Sequence, residues 1–395
     1  MVGKYLPGLN CFYLAVMNEL STPASGLSSS MDTLRLRVKA IQPESTGTKT
    51  IFLERMDGQD LVYKAGQFLT ILFSFHHRQL RRSYSLSTAP GIDPVPAITV
   101  KRVQNGEISR YMLDHLHVGD ELTCLLPAGR FTLDSLSPLL SATRKPARRV
   151  LLEPATGEPR EPASPPLLFI AAGSGIVPIF SLLKAALSSL LETPLILISQ
   201  QHDEATSPFS AQLSRLQETY SSRFQWIDLL SSRDGRLNNW RLEELLITVL
   251  PELPVPPNVF LCGPSSFMRM AQFTLRLMGI PGESIKKENF TVEFVPSAPI
   301  SIDPSPKIIT IHAGGKVWQF AAVWPQTILQ AGLANQIHLP YSCRGGRCST
   351  CVAKCQRGTV TMTINEVLTE NDLREGLVLP CVGYAETDVE LTYET

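Results

Sequence analysis

Cys343, Cys348 and Cys351 form a C-x4-C-x2-C run, and Cys381 follows with twenty-nine residues between it and Cys351. Thiolates are soft ligands, and four of them satisfy the two irons of a plant-type 2Fe-2S cluster, in which a tight loop wraps one side and a distal cysteine closes the other. Gly345 and Gly346 sit inside this loop, where the backbone must bend with its amides turned toward sulfur. A structural zinc site and a set of buried unliganded thiols are the other two readings. Zinc sites usually pair two C-x2-C knuckles, and this chain has a single one, at Cys348 and Cys351. Cys355 extends the run to C-x2-C-x3-C, but a bacterial four-iron site needs cysteine at position 345 and proline after Cys355. The sequence has Gly345 and Gln356 there, so Cys355 reads as a packed bystander.

Other residues suit cofactors that carry rings and phosphates. In Arg82-Ser83-Tyr84-Ser85 a guanidinium can pair with a diphosphate, a phenol ring can stack on a flavin, and a hydroxyl can bond the reactive ring nitrogen; a solvated strand explains the same four residues. Val100-Lys101-Arg102 leads into Gly106-Glu107-Ile108-Ser109, a helix entry whose free N–H groups face outward for phosphate, or simply a helix capped at Ser109. Gly173-Ser174-Gly175-Ile176-Val177-Pro178 follows one apolar run and opens a helix, as a pyrophosphate turn does. Cys262-Gly263-Pro264 makes a second sharp turn after a later strand, with Cys262 equally readable as a small buried residue.

The elements that must position these groups follow from length and pattern. At 395 residues the chain exceeds one ordinary core and calls for two or three domains. Its 36 Lys and Arg balance 36 Asp and Glu without clustering, which argues against nucleic acid or an anionic membrane as a partner. Five of the eight cysteines fall between positions 343 and 381, which is metal-site grouping and not a secreted disulfide framework. Pro7 and Asn10 interrupt the only apolar N-terminal stretch, so residues 1–31 read as a tail on a cytoplasmic protein. Pro162 to Leu183 is uncharged and long enough to span a bilayer, but Pro165, Pro166, Gly173, Gly175 and Pro178 divide it into strand, turn and helix. No stable membrane insertion is expected.

Strands predicted at 34–38, 50–53, 68–73 and 97–103 make residues 32–135 an antiparallel barrel or sandwich. A Pro-, Ser- and Arg-rich stretch over 136–166 reads as a linker or insertion. Residues 167–295 alternate strands at 167–171, 195–198, 224–228 and 259–261 with helices starting near Val177, Phe209, Leu242 and Ser265, which specifies a parallel sheet covered on both faces. A proline-rich tether at 296–306 leads to a small domain over 307–395, with strands at 308–312 and 317–320, a hairpin turn at Gly314-Gly315 and a helix over 327–334.

With these motifs in this order, the span from about Asp32 to the C-terminus resembles the ferredoxin-NADP reductase superfamily. Within it, the resemblance is to reductases that fuse flavin, nicotinamide and C-terminal plant-type ferredoxin modules, the phenylacetyl-CoA oxygenase reductases and hybrid-cluster-protein reductases among them. It implies an antiparallel β-barrel flavin domain, an α/β parallel-sheet nucleotide domain and an α+β β-grasp ferredoxin domain. It assigns flavin contacts to Arg82, Tyr84, Ser85, Val100, Lys101, Gly106 and Ser109, with Tyr84 and Ser85 at the reacting ring. Gly173, Ser174, Gly175, Pro178, Cys262, Gly263 and Pro264 are assigned to the nicotinamide nucleotide, and Cys343, Cys348, Cys351 and Cys381 to the cluster. FAD is preferred to FMN, because the G-x-x-S turn suits a diphosphate.

The sequence departs from the family at the long 136–166 stretch and after the second α/β strand. There Gln200-Gln201-His202-Asp203-Glu204 offers Asp203 to a ribose 2′-hydroxyl and no nearby arginine to a 2′-phosphate, which leans toward NADH over NADPH. The implied activity is hydride transfer from NAD(P)H to the flavin, followed by single-electron exit through the cluster to an external oxygenase, hydroxylase or hybrid-cluster protein. A redox-sensing or electron-relay protein without turnover is the alternative. Glu288 reads as a solvated charge or as a carboxylate near the flavin, and Arg344 and Arg347 as exposed arginines or as part of a docking face.

Overall fold

The computed structural model describes residues 33–75, 78–136, 165–190, 192–253, 255–290 and 303–393. Three sheets of five or six strands organise them. The tail, nearly all of the 136–166 stretch and part of the 296–306 tether lie outside the described residues.

The first sheet contains β1 (Thr33–Ser45), β2 (Thr48–Arg55), β3 (Phe68–Phe75), β4 (Arg78–Ser85), β5 (Ala97–Lys101) and β6 (Glu121–Leu125) in the order β4-β3-β6-β1-β2-β5. Its neighbouring strands pair antiparallel, and period-two alternation does the sorting: Leu36 and Val38 enter the core while Arg35 and Arg37 face water. A bridge between Leu86 and Ile98 joins the two ends of the sheet and closes it as a barrel. Helix α1 (Glu107–Asp114) seals one end with Ile108, Met112 and Leu113. The strand expected over 97–103 stops at Lys101, where Arg102 donates its amide to the Gly47 carbonyl and the chain turns away. The helix after it starts two residues before Ser109, with Gly106 at the N-cap.

The second sheet is parallel, in the order β11-β10-β7-β8-β9, from β7 (Leu167–Ala172), β8 (Leu195–Gln201), β9 (Phe224–Leu230), β10 (Asn258–Cys262) and β11 (Ile285–Glu288). Helices α2 (Ile176–Ser189), α3 (Ser210–Thr219), α4 (Asn239–Val249) and α5 (Ser265–Leu277) cover it, leaving one buried cluster on each face. The uncharged stretch ending at Leu183 resolves into β7, a glycine turn and α2, and no described helix is long and apolar enough to cross a membrane. Strand β11 was not anticipated. Ile285-Lys286-Lys287-Glu288 carries one aliphatic residue, because an edge strand needs little apolar surface and tolerates lysine.

The first two sheets share a core. Phe131, at the exit of the barrel, packs edge-on against Phe260 of β10 at 5.3 Å, and Phe260 stacks on Phe169 of β7 at 5.6 Å. Ser181 of α2 donates to the Thr88 carbonyl at 2.6 Å, and Lys184 pairs with Asp93. Gly66 lies so close to the Phe131 carbonyl that a Cβ would come within 1.9 Å of it.

The third sheet is mixed, in the order β13-β12-β18-β14-β16, from β12 (Lys307–Ala313), β13 (Lys316–Ala322), β14 (Ala353–Arg357), β16 (Leu377–Val378) and β18 (Val389–Thr392). Strands β12 and β18 run parallel, while β15 (Val360–Met362) and β17 (Gly383–Ala385) form a separate ribbon. Helix α6 (Ile328–Ala334), capped by Thr327 and Gln330, packs on β13, and α7 (Glu370–Arg374) follows β15. The Gly314-Gly315 hairpin and this helix lie where the sequence pattern predicts them. The short strands β14, β16 and β18 escape that pattern.

Phe260→Ala removes a ring shared by two domains, and truncating a fully buried Phe costs about 3–5 kcal/mol. The expected result is a clear fall in the thermal unfolding midpoint, read by circular dichroism, larger than that for Phe290→Ala, whose side chain is exposed.

Candidate functional site

The sheet order places β7 and β10 side by side at the point where successive crossovers diverge, and ligands of open α/β sheets bind beyond the carboxyl ends of such strands. Both nucleotide turns lie there. Gly173, in the left-handed region at φ 57°, and Gly175 form a single helical turn between β7 and α2. A Cβ on Gly175 would fall 2.2 Å from the Cys262 carbonyl, so only glycine lets the two turns touch. Gly263 approaches Ala172 in the same way, Pro264 caps α5, Pro178 is buried in the first turn of α2, and Ser174 stays partly exposed. Cys262 is fully buried and burial pushes its thiol well above the ordinary range, which keeps it neutral.

Gln201, at the end of β8, donates to the Gly173 carbonyl at 2.9 Å while its buried side-chain oxygen has no protein partner, leaving an acceptor beside the turn. Sequence reasoning passed over Gln201. Asp203, two residues on, spends one oxygen capping the turn that contains Thr206, at 2.9 Å from its amide, and these bonds hold its carboxyl below the usual range. Lys101 of the barrel lies close enough to interact with it electrostatically.

A second cleft, a cavity of about 280 Å³, opens between the barrel and the end of β11. Arg82, Ser85, Glu288, Asn289, Cys343 and Cys348 are among its walls. Ser85 is buried and its Oγ donates to Glu288 Oε2 at 3.4 Å. Glu288 is not the solvated charge the sequence suggests: it is 7 % exposed, and burial raises its carboxyl to about 8, only partly offset by the Ser85 hydroxyl. The barrel, some 200 residues away in sequence, supplies the burial. Asn289 Oδ1 is a second buried acceptor without a protein partner.

Tyr84 packs its ring against the barrel core, outside the cavity lining, and burial pushes its phenol up to about 12. Val100 is wholly inside that core. Ser109 spends its hydroxyl on the Val103 amide and the Gly106 carbonyl, so this turn reaches the cleft with neither side chain. Arg82 remains exposed, donating to the Arg81 carbonyl at 2.8 Å.

The four cysteines of the loop and its distal partner gather at the near end of the third sheet. Cys348 lies within hydrogen-bonding range of Cys343, Cys343 of Cys381, and Cys381 of Cys351. Cys343 with Cys348 and Cys351 with Cys381 thus form two adjacent thiol pairs, a donor set that suits two irons with two thiolates each. The backbone completes the fit: the amides of Gly345 and Cys343 point at Cys343 and Cys348 sulfurs at 3.4 Å, and the Gly346 amide points at Cys381. Gly346 adopts φ 70°, and a Cβ there would strike the Ile364 carbonyl at 2.6 Å. Cys355 bonds the Arg357 carbonyl and takes no part in this thiol chain. Arg347 is buried at 2 % exposure and pairs with Glu366, which corrects the reading of it as an exposed arginine; Arg344 is exposed as expected.

Three family models match this chain: an oxidoreductase FAD-binding domain over residues 34–133, an oxidoreductase NAD-binding domain over 169–272, and a 2Fe-2S iron-sulfur cluster binding domain over 311–386. The ferredoxin reductase component of 3-ketosteroid-9-alpha-monooxygenase from Mycobacterium tuberculosis is 30 % identical over 378 residues, covering 91 % of this chain and 96 % of that protein. A component of the 1,2-phenylacetyl-CoA epoxidase of Escherichia coli is 27 % identical over 81 % of this chain and 85 % of its own length. The solved structure of phthalate dioxygenase reductase, at 19 % identity and a TM-score of 0.51, covers 91 % of this chain and 97 % of that one and shares its fold.

Aerobically purified protein is expected to contain about two irons and two labile sulfides per chain. Cys343→Ser and Cys381→Ser should each abolish the cluster's visible absorption while flavin content is retained, whereas Cys355→Ser should leave both unchanged.

Proposed function

This chain belongs to the ferredoxin-NADP reductase superfamily, among the iron-sulfur flavoprotein reductases, and from that premise we propose how its own residues serve the reaction and which acceptor it feeds. It is an NAD(P)H-dependent oxidoreductase with FAD, NAD and 2Fe-2S domains. When bound, FAD accepts a hydride from NAD(P)H and releases electrons singly, which matches a two-electron donor to a one-electron centre.

The observation that carries the reading is the shared wall. Cys262 of the nucleotide crevice is the register partner of Glu288, Glu288 touches Ser85 of the flavin motif, and Ser85 and Glu288 line one cavity with Cys343 and Cys348. The crevice, the flavin strand and the cluster loop therefore meet within a few residues. Gly173, Gly175 and Gly263 let backbone approach the dinucleotide phosphates, with Ser174 and Pro264 at the helix entries. Arg82 supplies a cation for the flavin phosphates, Tyr84 backs the barrel side of the site, and Ser85 presents a hydroxyl at the cavity. Glu288 holds a proton at its carboxyl beside Ser85 Oγ and exchanges it as charge on the flavin changes.

The external acceptor is an oxygenase component. Of the relatives named above, one is the ferredoxin reductase component of a monooxygenase, matched over 91 % of this chain and 96 % of its own length, and one belongs to an epoxidase, matched over 81 % and 85 %. NADH is the preferred donor, because Asp203 occupies the position where a ribose 2′-hydroxyl is accepted and a 2′-phosphate repelled. A cytoplasmic location belongs to the same reading, since thiolate ligation needs a reducing compartment.

With a one-electron acceptor dye, NADH is expected to support turnover with kcat/KM at least about tenfold above NADPH, and Asp203→Ala should narrow that gap. No turnover in the wild type would defeat the reading. Glu288 is protonated below about pH 8, so the step it serves should slow as pH rises through 8. Glu288→Gln cannot titrate, so that variant should lose this alkaline limb and run more slowly at neutral pH.

A further inference from the structure

We propose that two interdomain clamps, one from Arg81 to Tyr341 and one from Asn289 through Glu366 to Arg347, pin the cluster loop to the flavin cleft and set the rate at which electrons cross to the cluster. This rests on the FAD and 2Fe-2S reading above. Each of the two cysteines lining the cleft has an anchor immediately before it in sequence. Tyr341 and Ser342 precede Cys343, and Arg347 precedes Cys348.

The first clamp reaches from the flavin strand. The Arg81 guanidinium lies 3.9 Å from the Tyr341 ring centroid and donates to the Tyr341 carbonyl at 3.1 Å. Two residues along β4, Ser83 Oγ meets Ser342 Oγ at 2.7 Å. Arg344 holds the same ring from within the loop, 4.4 Å from its centroid and donating to its hydroxyl at 2.7 Å. Tyr341 is buried and Arg81 half-buried, so the Arg81 contact is shielded from water, whereas Arg344 covers the ring from the exposed side.

The second clamp reaches from the nucleotide domain. Asn289, next to Glu288, donates to Glu366 Oε2 at 2.5 Å, and Glu366 Oε1 lies 3.0 Å from Arg347 Nη2. The Glu366 amide donates to the Gly346 carbonyl, tying the carboxylate's own backbone to the loop. The pair joins a buried arginine to a half-buried carboxylate, and removing either partner leaves the other without its counter-charge.

The ferredoxin module has an apolar core of its own, built on Ile309, Ile311, Leu329 and Leu391, and the Tyr341 ring belongs to it. The clamps are directional polar contacts at the edge of that core, and their geometry fixes how far Cys343 and Cys348 stand from Ser85 and Glu288. Small misplacements of reacting groups are costly to rate, by up to about a hundredfold per ångström in well-positioned sites.

The test uses the full-length protein carrying both centres, mixed rapidly with NADH under anaerobic conditions. Flavin bleaching and cluster reduction are followed separately. In Arg81→Ala, flavin bleaching should keep its wild-type rate while cluster reduction slows about tenfold or more. Tyr341→Phe keeps the ring and should keep most of the rate, and adding Glu366→Ala to Arg81→Ala should slow it further. The electron paramagnetic resonance signal of the dithionite-reduced cluster should be that of the wild type in every variant, because the four thiols stay in place. Wild-type cluster reduction in the Arg81→Ala, Glu366→Ala variant overturns the proposal, as does a damaged cluster signal, which would assign these residues to folding. A wild type without flavin or cluster absorption would sink the underlying reading, and its spectrum alone tells that case apart.

Discussion

The organising constraint is that a carboxyl group has been taken out of water at the meeting point of two domains. Glu288 ends an edge strand of the parallel sheet, yet the barrel closes over it, and its hydrogen bond to Ser85 is weak compensation for lost hydration. An acid buried in this way responds by holding its proton, and the raised carboxyl follows from that. Such a site is costly to build, and strongly shifted groups of this kind cluster at functional sites. The barrel, the nucleotide crevice and the cluster loop all have to reach this one wall.

The two kinds of interdomain contact differ in character. Barrel and parallel sheet are joined by aromatic packing of Phe131 on Phe260 and Phe169, which excludes water, together with the Ser181–Thr88 hydrogen bond and the Lys184–Asp93 ion pair. The cluster-bearing module is joined by arginine, tyrosine, asparagine and carboxylate groups around a large polar junction that includes Arg130 and Asp372. Apolar contacts resist separation and say little about angle, whereas hydrogen bonds and cation–π contacts specify direction. The geometry that matters for electron exit is accordingly held by directional contacts.

The cluster loop repeats this logic at smaller scale. Its amides face sulfur because Gly346 takes a left-handed conformation against the Ile364 carbonyl, and Arg344 and Ser349 also adopt positive φ. Backbone strain in a short loop is tolerated where surrounding packing over-determines it. Buried Arg347 and Tyr341 supply that packing, so the ligand loop and the interdomain contacts reinforce each other.

The cysteine spacing, the R-x-Y-S strand end and the two glycine turns were legible in the chain because each is a local pattern, set by a few consecutive residues and their backbone limits. The strand and helix alternation that separates barrel from parallel sheet was legible for the same reason. Other features were not. Lys286-Lys287-Glu288 looks solvated in isolation, but Ser85 of a barrel strand, 203 residues earlier, meets its carboxylate in a cleft shared with Cys348 of the cluster loop. Arg81 and Tyr341 lie 260 residues apart, and neither carries a motif that names the other. Sequence alone therefore determined which cofactors this protein can hold, since cofactor chemistry needs short-range ligand sets. How those cofactors face one another was decided by tertiary structure, because burial and interdomain contact arise between residues that periodicity and spacing cannot relate.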